Sequence, residues 1–476
     1  MPMVSAWLKK QGYTLPDRKQ RELQELWKCW YRGYVEDVHN YRVYNGTCFQ
    51  QCKRRTLGMA KVICEDYGSL LINEHVQVTS DQFEELPDVL EQNSFHTRAN
   101  RLAELVMALG TGAFVEFINE NKEPVIDYIR ADMIYPLSWD GDNVTECAFA
   151  SKKVIGEGRT SQTVFYVQLH IKAPGGWRIR NVYLDQKGKE LPLPVGMLEE
   201  SPVSPVPLFQ LVRPNTINAA DFDSPLGASV FAEALEQLVD CDIIWDSYIN
   251  EFVLGKKRLM VPLSLAKLDV QRGQVEDGQG ETLEPIFDPN DALIYVYEAD
   301  PDGKQNPIEI DLNLRTEQHE QGLQRCIDTL SKKCGLGVGR YRFDTDGAKT
   351  ATEVISVKSD LYQSLKRHEK TFGDAIVGMV KALAWLMGKG EDVDVSVQFD
   401  DSIVEDVNAT IDRTIKLQSA GFLSKKDAIM TIFGVTEEEA AKRLAEITAE
   451  ERVNTDNVSA FFDQDEKDAP TGGDAA

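Results

Sequence analysis

A long helical periodicity near the end of the chain constrains the fold most. Apolar side chains recur there at steps of three, four or seven residues, which places them on one face of an α-helix. They are Val354, Val357, Leu361, Leu365, Phe372, Ile376, Met379, Leu383 and Leu386. The pattern covers about 36 residues, or roughly 50 Å of helix. Thr350 and Glu353 have the spacing of a capping box, so the sequence predicts one long helix over residues 351–387.

The chain before this helix mixes helical and β-rich segments. Residues 17–45, 54–74 and 93–110 are predicted to be helical, and Gly110 ends the third of these helices. From residue 113 to about 211, short β-rich runs alternate with Gly and Pro turns, which indicates an antiparallel sheet.

Two further helices are predicted on either side of another β-rich stretch. Ser224 before Pro225 fits an N-cap, which predicts a helix from there to Leu254. Residues 256–311 are rich in strands and turns, and a second helix is predicted from about Leu312 to Cys334.

The C-terminal part is predicted to be a strand, a small helical unit and a tail. The strand lies in residues 392–402 and the helical unit in 405–452. Residues from Asn454 onward are acidic and poor in apolar side chains, which is typical of disorder. The predicted fold class is α+β, mainly helical.

The charge balance argues against a protein that grips DNA. The 476 residues include 52 Lys and Arg and 77 Asp and Glu, which gives a net charge of −25. Proteins that bind nucleic acid by neutralising phosphates are usually basic. An acidic surface repels a polyanion, which suits a protein past which DNA must move without sticking.

No targeting or membrane segment is predicted. The N-terminal segment lacks an apolar stretch long enough for a signal peptide, and no run approaches the ~18 apolar residues of a membrane span. We therefore expect a soluble, cytosolic protein without membrane contact. The eight cysteines then fit small buried hydrophobes in a reducing compartment.

Residues 335–350 form a glycine-rich connection, GLGVGRYRFDTDGAKT, after the second helix. A phosphate-binding loop has glycine directly before Lys-Ser/Thr and follows a buried strand. Here Ala348 precedes Lys349, and a predicted helix precedes the loop. The pattern favours a helix–loop–helix connection. A nucleotide-binding enzyme that uses residues 335–350 is the alternative.

Other chemistry is weakly supported. Cys48 and Cys52 could bind a metal together with Cys64 or His39, but the second cysteine pair of the usual zinc motifs is missing. The segment 264–267 matches the Ser-x-x-Lys pattern without its companion motifs. We therefore assign no catalytic residue, no metal and no cofactor.

Residues 224–254 carry an acidic stripe on one face. At about 100° per residue, four acidic side chains fall within an arc of about 60°, and apolar side chains fill a broad opposite arc. The acidic stripe consists of Glu233, Glu236, Asp240 and Glu251, with Ser247 among them. No Lys or Arg occurs between Arg213 and Lys256, whereas solvated faces usually mix both signs.

Several segments resemble, in the same order along the chain, the portal proteins of tailed bacteriophages, in particular the long-tailed, Gram-positive-phage type. They are YNG at 44–46, KRRTLGMAKVICEDYGSLLINE at 53–74, ALGTGAF at 108–114, DMIYPLSW at 132–139, RPNTINAADFDSPLGASVFAEALEQL at 213–238, NEFVLGKKRLMV at 250–261 and KTATEVISVKSDLYQSLKRHE at 349–369. Together they span nearly the whole chain.

The resemblance implies a phage portal fold with wing, stem, clip and crown, assembled as a homo-oligomeric ring, usually of twelve subunits. The parts would be 1–223 (wing), 224–255 (first stem helix), 256–311 (clip), 312–335 (second stem helix), 336–350 (tunnel loop), 351–401 (long wing helix and strand), 402–455 (crown) and 456–476 (disordered acidic tail).

The resemblance also implies the function. Portal rings form the channel at the capsid vertex through which double-stranded viral DNA is packaged and ejected. They dock the terminase large subunit and head-completion or adaptor proteins, and contact the scaffold and major capsid proteins. The protein would lie in the virion, and in the host cytoplasm during assembly. It would not be an enzyme.

The same resemblance gives roles to two sets of residues. Arg340, Arg342 and Lys349 of the tunnel loop would touch DNA phosphates transiently. The acidic stripe Glu233, Glu236, Asp240 and Glu251 would line the channel and repel DNA.

Overall fold

The computed structural model describes residues 2–44, 46–155, 161–194, 196–262, 268–273, 280–285, 294–297, 307–311, 313–342, 351–400, 407–433, 435, 439–445 and 447–448. The chain divides into two compact units, Met1–Phe399 and Asp400–Ala476. Within the described residues, no helix is both long and apolar enough to cross a membrane.

The first hundred residues are mainly helical. The helices are α1 (Pro2–Lys10), α2 (Arg18–Tyr31), α3 (Glu36–His39), α4 (Met59–Leu71), α5 (Leu86–Gln92) and α6 (Phe95–Leu109). Gly110 ends α6 with φ of 80°, as predicted. The prediction of one helix over 17–45 is wrong beyond Tyr31, apart from the short helix α3. Residues 40–44 instead form strand β1 (Asn40–Tyr44), which pairs with β2 (Phe49–Lys53) around the turn at Gly46.

Strand β3 (Gln77–Thr79) lies between α4 and α5. Antiparallel strands follow α6, as the alternation of β-rich runs and turns predicted. They are β4 (Gly112–Ile118), β5 (Pro124–Arg130), β6 (Ile134–Asp140), β7 (Asn143–Ile155), β8 (Gln162–Ala173), β9 (Gly176–Leu184), β10 (Glu190–Leu191) and β11 (Phe209–Val212). One sheet has the order β10-β9-β8-β7-β6, and a second has the order β11-β4-β5. Helix α1 covers the first sheet, because Val4, Trp7 and Leu8 are buried against its apolar face.

Helix α7 (Leu235–Leu254) begins later than the sequence predicted. The expected N-cap at Ser224 is wrong, since residues 225–231 are not helical and a short 3-10 turn covers Ala232–Ala234. The backbone there is bonded to other elements instead. The Gly227 N–H donates to Thr111 Oγ1 at 3.0 Å, and the Val230 N–H donates to the Met107 carbonyl at 2.9 Å.

Two glycines allow this close approach. A Cβ atom on Gly110 would lie 2.4 Å from the Gly227 carbonyl oxygen, and a Cβ on Gly227 would lie 2.3 Å from the Gly110 carbonyl oxygen. No side chain fits at either position without moving the backbone. These tertiary contacts take the backbone groups that a helix from Ser224 would use for its own hydrogen bonds.

The segment after α7 is rich in strands, as predicted. It contains β12 (Arg258–Pro262), β13 (Leu268–Gly273), β14 (Gly280–Pro285), β15 (Ile294–Tyr297) and β16 (Ile308–Ile310). Strand β12 pairs in parallel with β15 and antiparallel with β16, while β13 and β14 pair antiparallel with each other.

The second and third predicted helices are both present. Helix α8 covers Thr316–Lys333, so it starts four residues after the predicted Leu312, which lies outside the described residues. Helix α9 covers Ala351–Leu386, which confirms the predicted bounds. Its periodic positions Leu361, Leu365, Phe372, Ile376, Met379 and Leu383 are buried. Strand β17 (Ser396–Gln398) then pairs with β3.

The second unit is helical where it is described. Helix α10 (Val407–Ser419) packs against α11 (Lys425–Phe433). The predicted acidic tail lies outside the described residues.

Candidate functional site

The first half of the glycine-rich loop is held by helix α8, which precedes it. Gly335, Gly337 and Gly339 have φ angles of 82°, 76° and 80°, which favour glycine. Ser331 on α8 donates its hydroxyl to the Gly337 carbonyl at 2.6 Å, and the Gly339 N–H donates to the Asp328 carboxylate at 3.0 Å. The described part of the loop is therefore anchored at each of its turns.

A second anchor joins the loop to α4. Tyr341 donates its hydroxyl to Asp66 Oδ2 at 2.7 Å, and Arg340 Nε lies 3.1 Å from the same oxygen. Burial and this hydrogen bond raise the pKa of the Tyr341 hydroxyl. Tyr67, the next residue on α4, donates its hydroxyl to the Cys334 carbonyl at 2.7 Å. The guanidinium of Arg340 is thus held by a carboxylate of its own subunit.

The other two predicted phosphate-contacting residues differ from Arg340. Arg342 is exposed, and its guanidinium lies close to Gly339, where an added Cβ would meet Arg342 Nε at 2.7 Å. Lys349 lies outside the described residues.

The loop does not have the geometry of a phosphate cradle over the residues that are described. It follows helix α8 rather than a strand. Its amide groups bond within the protein: the Leu336 N–H donates to the Ser331 carbonyl at 2.9 Å, and the Gly335 N–H donates to the Lys332 carbonyl at 3.1 Å. A phosphate loop instead presents such groups to its ligand.

The acidic stripe divides into three open carboxylates and one paired one. Glu233, Glu236 and Asp240 are exposed, and none of them forms an ion pair within the described part of the chain. Glu251 accepts from Arg315 Nε at 2.8 Å and from Arg315 Nη2 at 3.0 Å. The Arg315 guanidinium lowers the pKa of the Glu251 carboxyl to about 2.

Helix α8 brings basic groups to this face, which the sequence of α7 alone did not indicate. His319 Nε2 lies 3.8 Å from Glu251 Oε2. At the other end of the helix pair, Lys333 Nζ donates to the Glu233 carbonyl at 3.3 Å. The two ends of the stripe are therefore close to positive charge, and Glu236 and Asp240 form its unpaired middle.

The opposite face of α7 carries two buried carboxylates that the sequence analysis missed. Asp242 lies 3.1 Å from His39 Nε2, with only 4% of the aspartate side chain and 1% of the histidine side chain exposed. Asp242 Oδ1 also accepts from the Leu57 N–H at 2.7 Å and from Thr56 Oγ1 at 3.2 Å. Burial raises the pKa of the Asp242 carboxyl, against the hydrogen bonds that lower it.

Asp246 makes the second of these contacts. It accepts from the Arg55 N–H at 3.2 Å and from the Asn250 amide at 3.1 Å. One turn apart on α7, Asp242 and Asp246 together tie the helix to the segment that carries β1 and β2. Both aspartates lie on the side of α7 that was predicted to be apolar. Their spacing of four residues, which places them one turn apart on that side, was the sequence signal that could have identified them.

The candidate metal ligands are not brought together. His39 contacts the Asp242 carboxylate through Nε2. Cys64 is fully buried in α4, whereas Cys48 is exposed at the tip of the β1–β2 hairpin. Among the residues that the structure describes, no group of three His, Cys, Asp or Glu side chains could hold a metal ion. The Ser264–Lys267 segment lies outside them.

Comparison with known proteins supports one family. Residues 277–453 match the model of a phage portal protein family, SPP1 Gp6-like, which confirms over that range the resemblance found in the sequence. No curated protein matches the chain.

Solved structures give weaker likenesses. The chain is similar to a chain of the neck of a native GTA particle computed with C12 symmetry, at 11% identity and a TM-score of 0.40, over 79% of this chain and 89% of that chain. It is also similar to a chain of the virion of a native gene transfer agent (GTA) particle, at 13% identity and a TM-score of 0.39, over 89% and 95%. These TM-scores are too low to carry an argument.

Proposed function

We propose that this chain, whose residues 277–453 match the model of the SPP1 Gp6-like phage portal family, is a portal protein that forms the channel for viral DNA at a capsid vertex. The family match over that range carries the proposal. The ordered segments before residue 277, which resemble portal proteins, extend it to the whole chain.

In this proposal the two helices α7 and α8 form the stem, and the strands between them form the clip. Residues 1–223 and helix α9 form the wing, residues 336–350 the tunnel loop, and residues 402–455 the crown. The antiparallel contact of α7 with α8 through Glu251 and Arg315 supports a paired stem.

The protein works as a homo-oligomeric ring, for which twelve subunits is the number that the portal resemblance implies. Exposed apolar side chains on α7 support an interface there: Ile243 is 40% exposed, Phe252 42% and Val253 47%. Exposed apolar surface of this kind is typical of a contact between subunits. A ring repeats every charge around its axis, so each stripe carboxylate becomes a ring of charge.

DNA in the channel then passes side chains that are negatively charged, as its own phosphates are. Glu233, Glu236 and Asp240 face the channel or the water-filled side of the stem, and Glu251 lies at the end of the stripe where Arg315 neutralises it. Arg340, Arg342 and Lys349 give brief contacts to phosphates. Arg340 makes such a contact only when it leaves Asp66, which keeps the contact short-lived.

The ring docks the terminase large subunit during packaging and head-completion or adaptor proteins afterwards, and it contacts scaffold and major capsid protein during assembly. It resides in the virion, after assembly in the host cytoplasm. The chain itself performs no catalysis in this proposal, because the chemical energy for packaging comes from the motor that it docks.

Imaging of the purified full-length protein tests the proposal. Negative-stain or cryo-electron micrographs should contain rings with a central hole wide enough for a DNA duplex. A protein that stays at the ~54 kDa of one chain up to high micromolar concentration at physiological salt, by light scattering, would contradict it.

A further inference from the structure

The hairpin formed by β1 and β2 projects from the first unit with an unusual surface. Its strands pair only with each other, and a two-stranded hairpin is marginally stable by itself. Tyr44 is 58% exposed and Phe49 70% exposed, and their ring centroids lie 5.2 Å apart. Such a pair of exposed aromatic rings is costly in water unless something covers it.

The same hairpin is basic. In the register of the strands, Arg42 and Lys53 lie on the face that also carries Tyr44 and Phe49. Residues 40–55 contain four basic and no acidic side chains, in a chain with a net charge of −25. Arg42 bonds to the neutral amide of Gln51 at 3.2 Å, and no carboxylate pairs with Arg42 or Lys53 within the described residues.

A second exposed patch is apolar and acidic, and so complements the aromatic and basic surface of the hairpin. In the loop 215–223, Ile217 is 76% exposed and Phe222 is 79% exposed. Asp221 and Asp223 flank Phe222, and neither forms an ion pair among the residues described. This loop therefore offers apolar side chains with unpaired negative charge, where the hairpin offers aromatic side chains with unpaired positive charge.

The loop is presented rigidly, so its exposure is built into the fold. The Asn215 N–H donates to His368 Nδ1 at 3.0 Å. Asn218, which is buried, donates to Gln20 Oε1 at 2.9 Å, and Lys19 Nζ donates to the Ala220 carbonyl at 2.7 Å. These bonds hold the loop on both sides of Ile217 and two residues before Phe222.

We propose that the β1–β2 hairpin of one copy docks on loop 215–223 of the next copy, with the aromatic tip against Ile217 and Phe222 and the basic residues against Asp221 and Asp223. Within one copy the two patches do not cover each other, because all four apolar side chains remain exposed. A contact between two different patches is head-to-tail, and such contacts form a ring when the rotation from one copy to the next closes. The inference rests on the ring of the proposed function and names where its subunits join.

Charge swapping tests the contact on the full-length protein. The acidic-hairpin variant carries Arg42→Glu and Lys53→Glu, and the basic-loop variant carries Asp221→Lys and Asp223→Lys. Each variant alone should need an about tenfold or higher protein concentration for half-assembly, as measured by light scattering, since each loses attraction worth at least ~1.4 kcal/mol. Circular dichroism checks that each variant is folded.

Mixing the two variants is the decisive step. The acidic hairpin of one variant then meets the basic loop of the other. In the next contact around the ring, an unchanged basic hairpin meets an unchanged acidic loop. A ring of alternating subunits should therefore form in the mixture at a protein concentration at which neither variant assembles alone. A matched control, Arg101→Glu with Lys152→Glu, changes two exposed basic residues elsewhere and should assemble as the wild type does.

The outcomes separate this inference from the proposed function. Wild-type protein that forms no ring overturns the ring, and this contact with it. If the wild type forms rings but either swapped variant assembles normally, the contact is overturned and the ring stays in place. The same conclusion follows if the wild type forms rings and mixing the variants does not restore assembly. If the acidic-hairpin variant assembles normally but binds DNA more weakly in a gel-shift assay, the hairpin is a nucleic-acid contact instead.

Discussion

His170 lies on β8 with no hydrogen-bond partner for either ring nitrogen among the described residues. The rings of Phe149 and Phe209 pack edge-on against it, each with its centroid 5.3 Å away. Burial lowers the pKa of His170 from 6.5 to about 3. The folded protein therefore holds this side chain neutral, while the unfolded chain protonates it at mildly acidic pH.

This difference in protonation between the folded and unfolded states determines how the stability of the protein changes with pH. Since the folded pKa is the lower one, the contribution of His170 to stability is complete above pH ~6.5 and is lost as the pH falls toward 3, by ~5 kcal/mol at most. His170→Leu should flatten this acid limb in thermal unfolding followed between pH 7 and pH 4. The exposed His75→Leu should not. An acid limb that His170→Leu leaves unchanged would contradict the assignment.

Glu116 on β4 gives stability the opposite dependence on pH. Both of its carboxyl oxygens are buried without a partner in the described part of the chain, and burial raises the pKa of Glu116 well above 4.5. Below that pH both states hold the proton. Above it the unfolded chain releases the proton first, so stability falls as pH rises, by up to ~1.4 kcal/mol per pH unit.

Glu116→Gln should therefore stabilise the protein at pH 8 and have little effect at pH 4.5. Melting temperatures at the two pH values, at one protein concentration, measure this. Glu123→Gln, in the exposed turn before β5, serves as the control. Equal effects of Glu116→Gln at both pH values would show that the carboxyl titrates normally.

At the scale of the elements, Asp242 links α7 to the segment that carries β1 and β2. Asp242→Ala would leave His39, Thr56 Oγ1 and the Leu57 N–H without their buried acceptor. Removing one partner of a buried pair typically costs about 3–5 kcal/mol. We expect a clear drop in the free energy of unfolding by denaturant, together with faster proteolysis of the β1–β2 hairpin.

Asp240→Ala provides a close control for this change. It removes the same side chain two residues earlier on the same helix, but Asp240 is exposed, so its effect on stability should stay within about 0.5 kcal/mol. Similar losses for the two variants would mean that the buried contact contributes little beyond helix propensity.

Asp66 controls how firmly the glycine-rich loop is attached to α4. Asp66→Ala removes the acceptor of both Arg340 and Tyr341, so the loop should open more often. Trypsin should then cleave after Arg340 and Arg342 several-fold faster, because proteolysis follows the population of opened states. Glu65→Ala, which removes the neighbouring carboxylate paired with Lys61 on the surface, should leave the cleavage rate unchanged.

At the scale of the whole molecule, the proposed function assigns the repulsion of DNA to the unpaired middle of the stripe, Glu236 and Asp240. Replacing Glu236 and Asp240 together with lysine should leave assembly intact, slow DNA translocation, and make the ring retain DNA. The retention should weaken as salt rises, because it comes from contacts to phosphates. Packaging and DNA-retention assays at two ionic strengths measure both effects.

The control for charge is Asp88→Lys with Glu91→Lys, two exposed residues on α5. Wild-type packaging and no gain in DNA retention by the stripe variant would identify the stripe as an ordinary solvated face. Failure of the stripe variant to assemble would identify it as a subunit interface.

The sequence by itself determined the elements whose signal is local. The apolar repeat predicted α9 to within a residue of its bounds, because helical periodicity depends only on positions along the chain. Gly110 as the end of α6, and the antiparallel strands between residues 113 and 211, follow from turn chemistry in the same way. The family resemblance likewise rests on ordered local segments.

Only the tertiary structure decided where helix α7 starts and which charges remain free. Residues 225–231 are not helical because their backbone bonds to α6 and to the turn after it, and the Gly110–Gly227 approach cannot be read from either segment alone. Arg315 reaches Glu251 across 64 residues of chain, and Arg340 reaches Asp66 across 274. A one-dimensional pattern places charges on a helix face, but it does not show which neighbour neutralises them, since that neighbour is brought close only by folding.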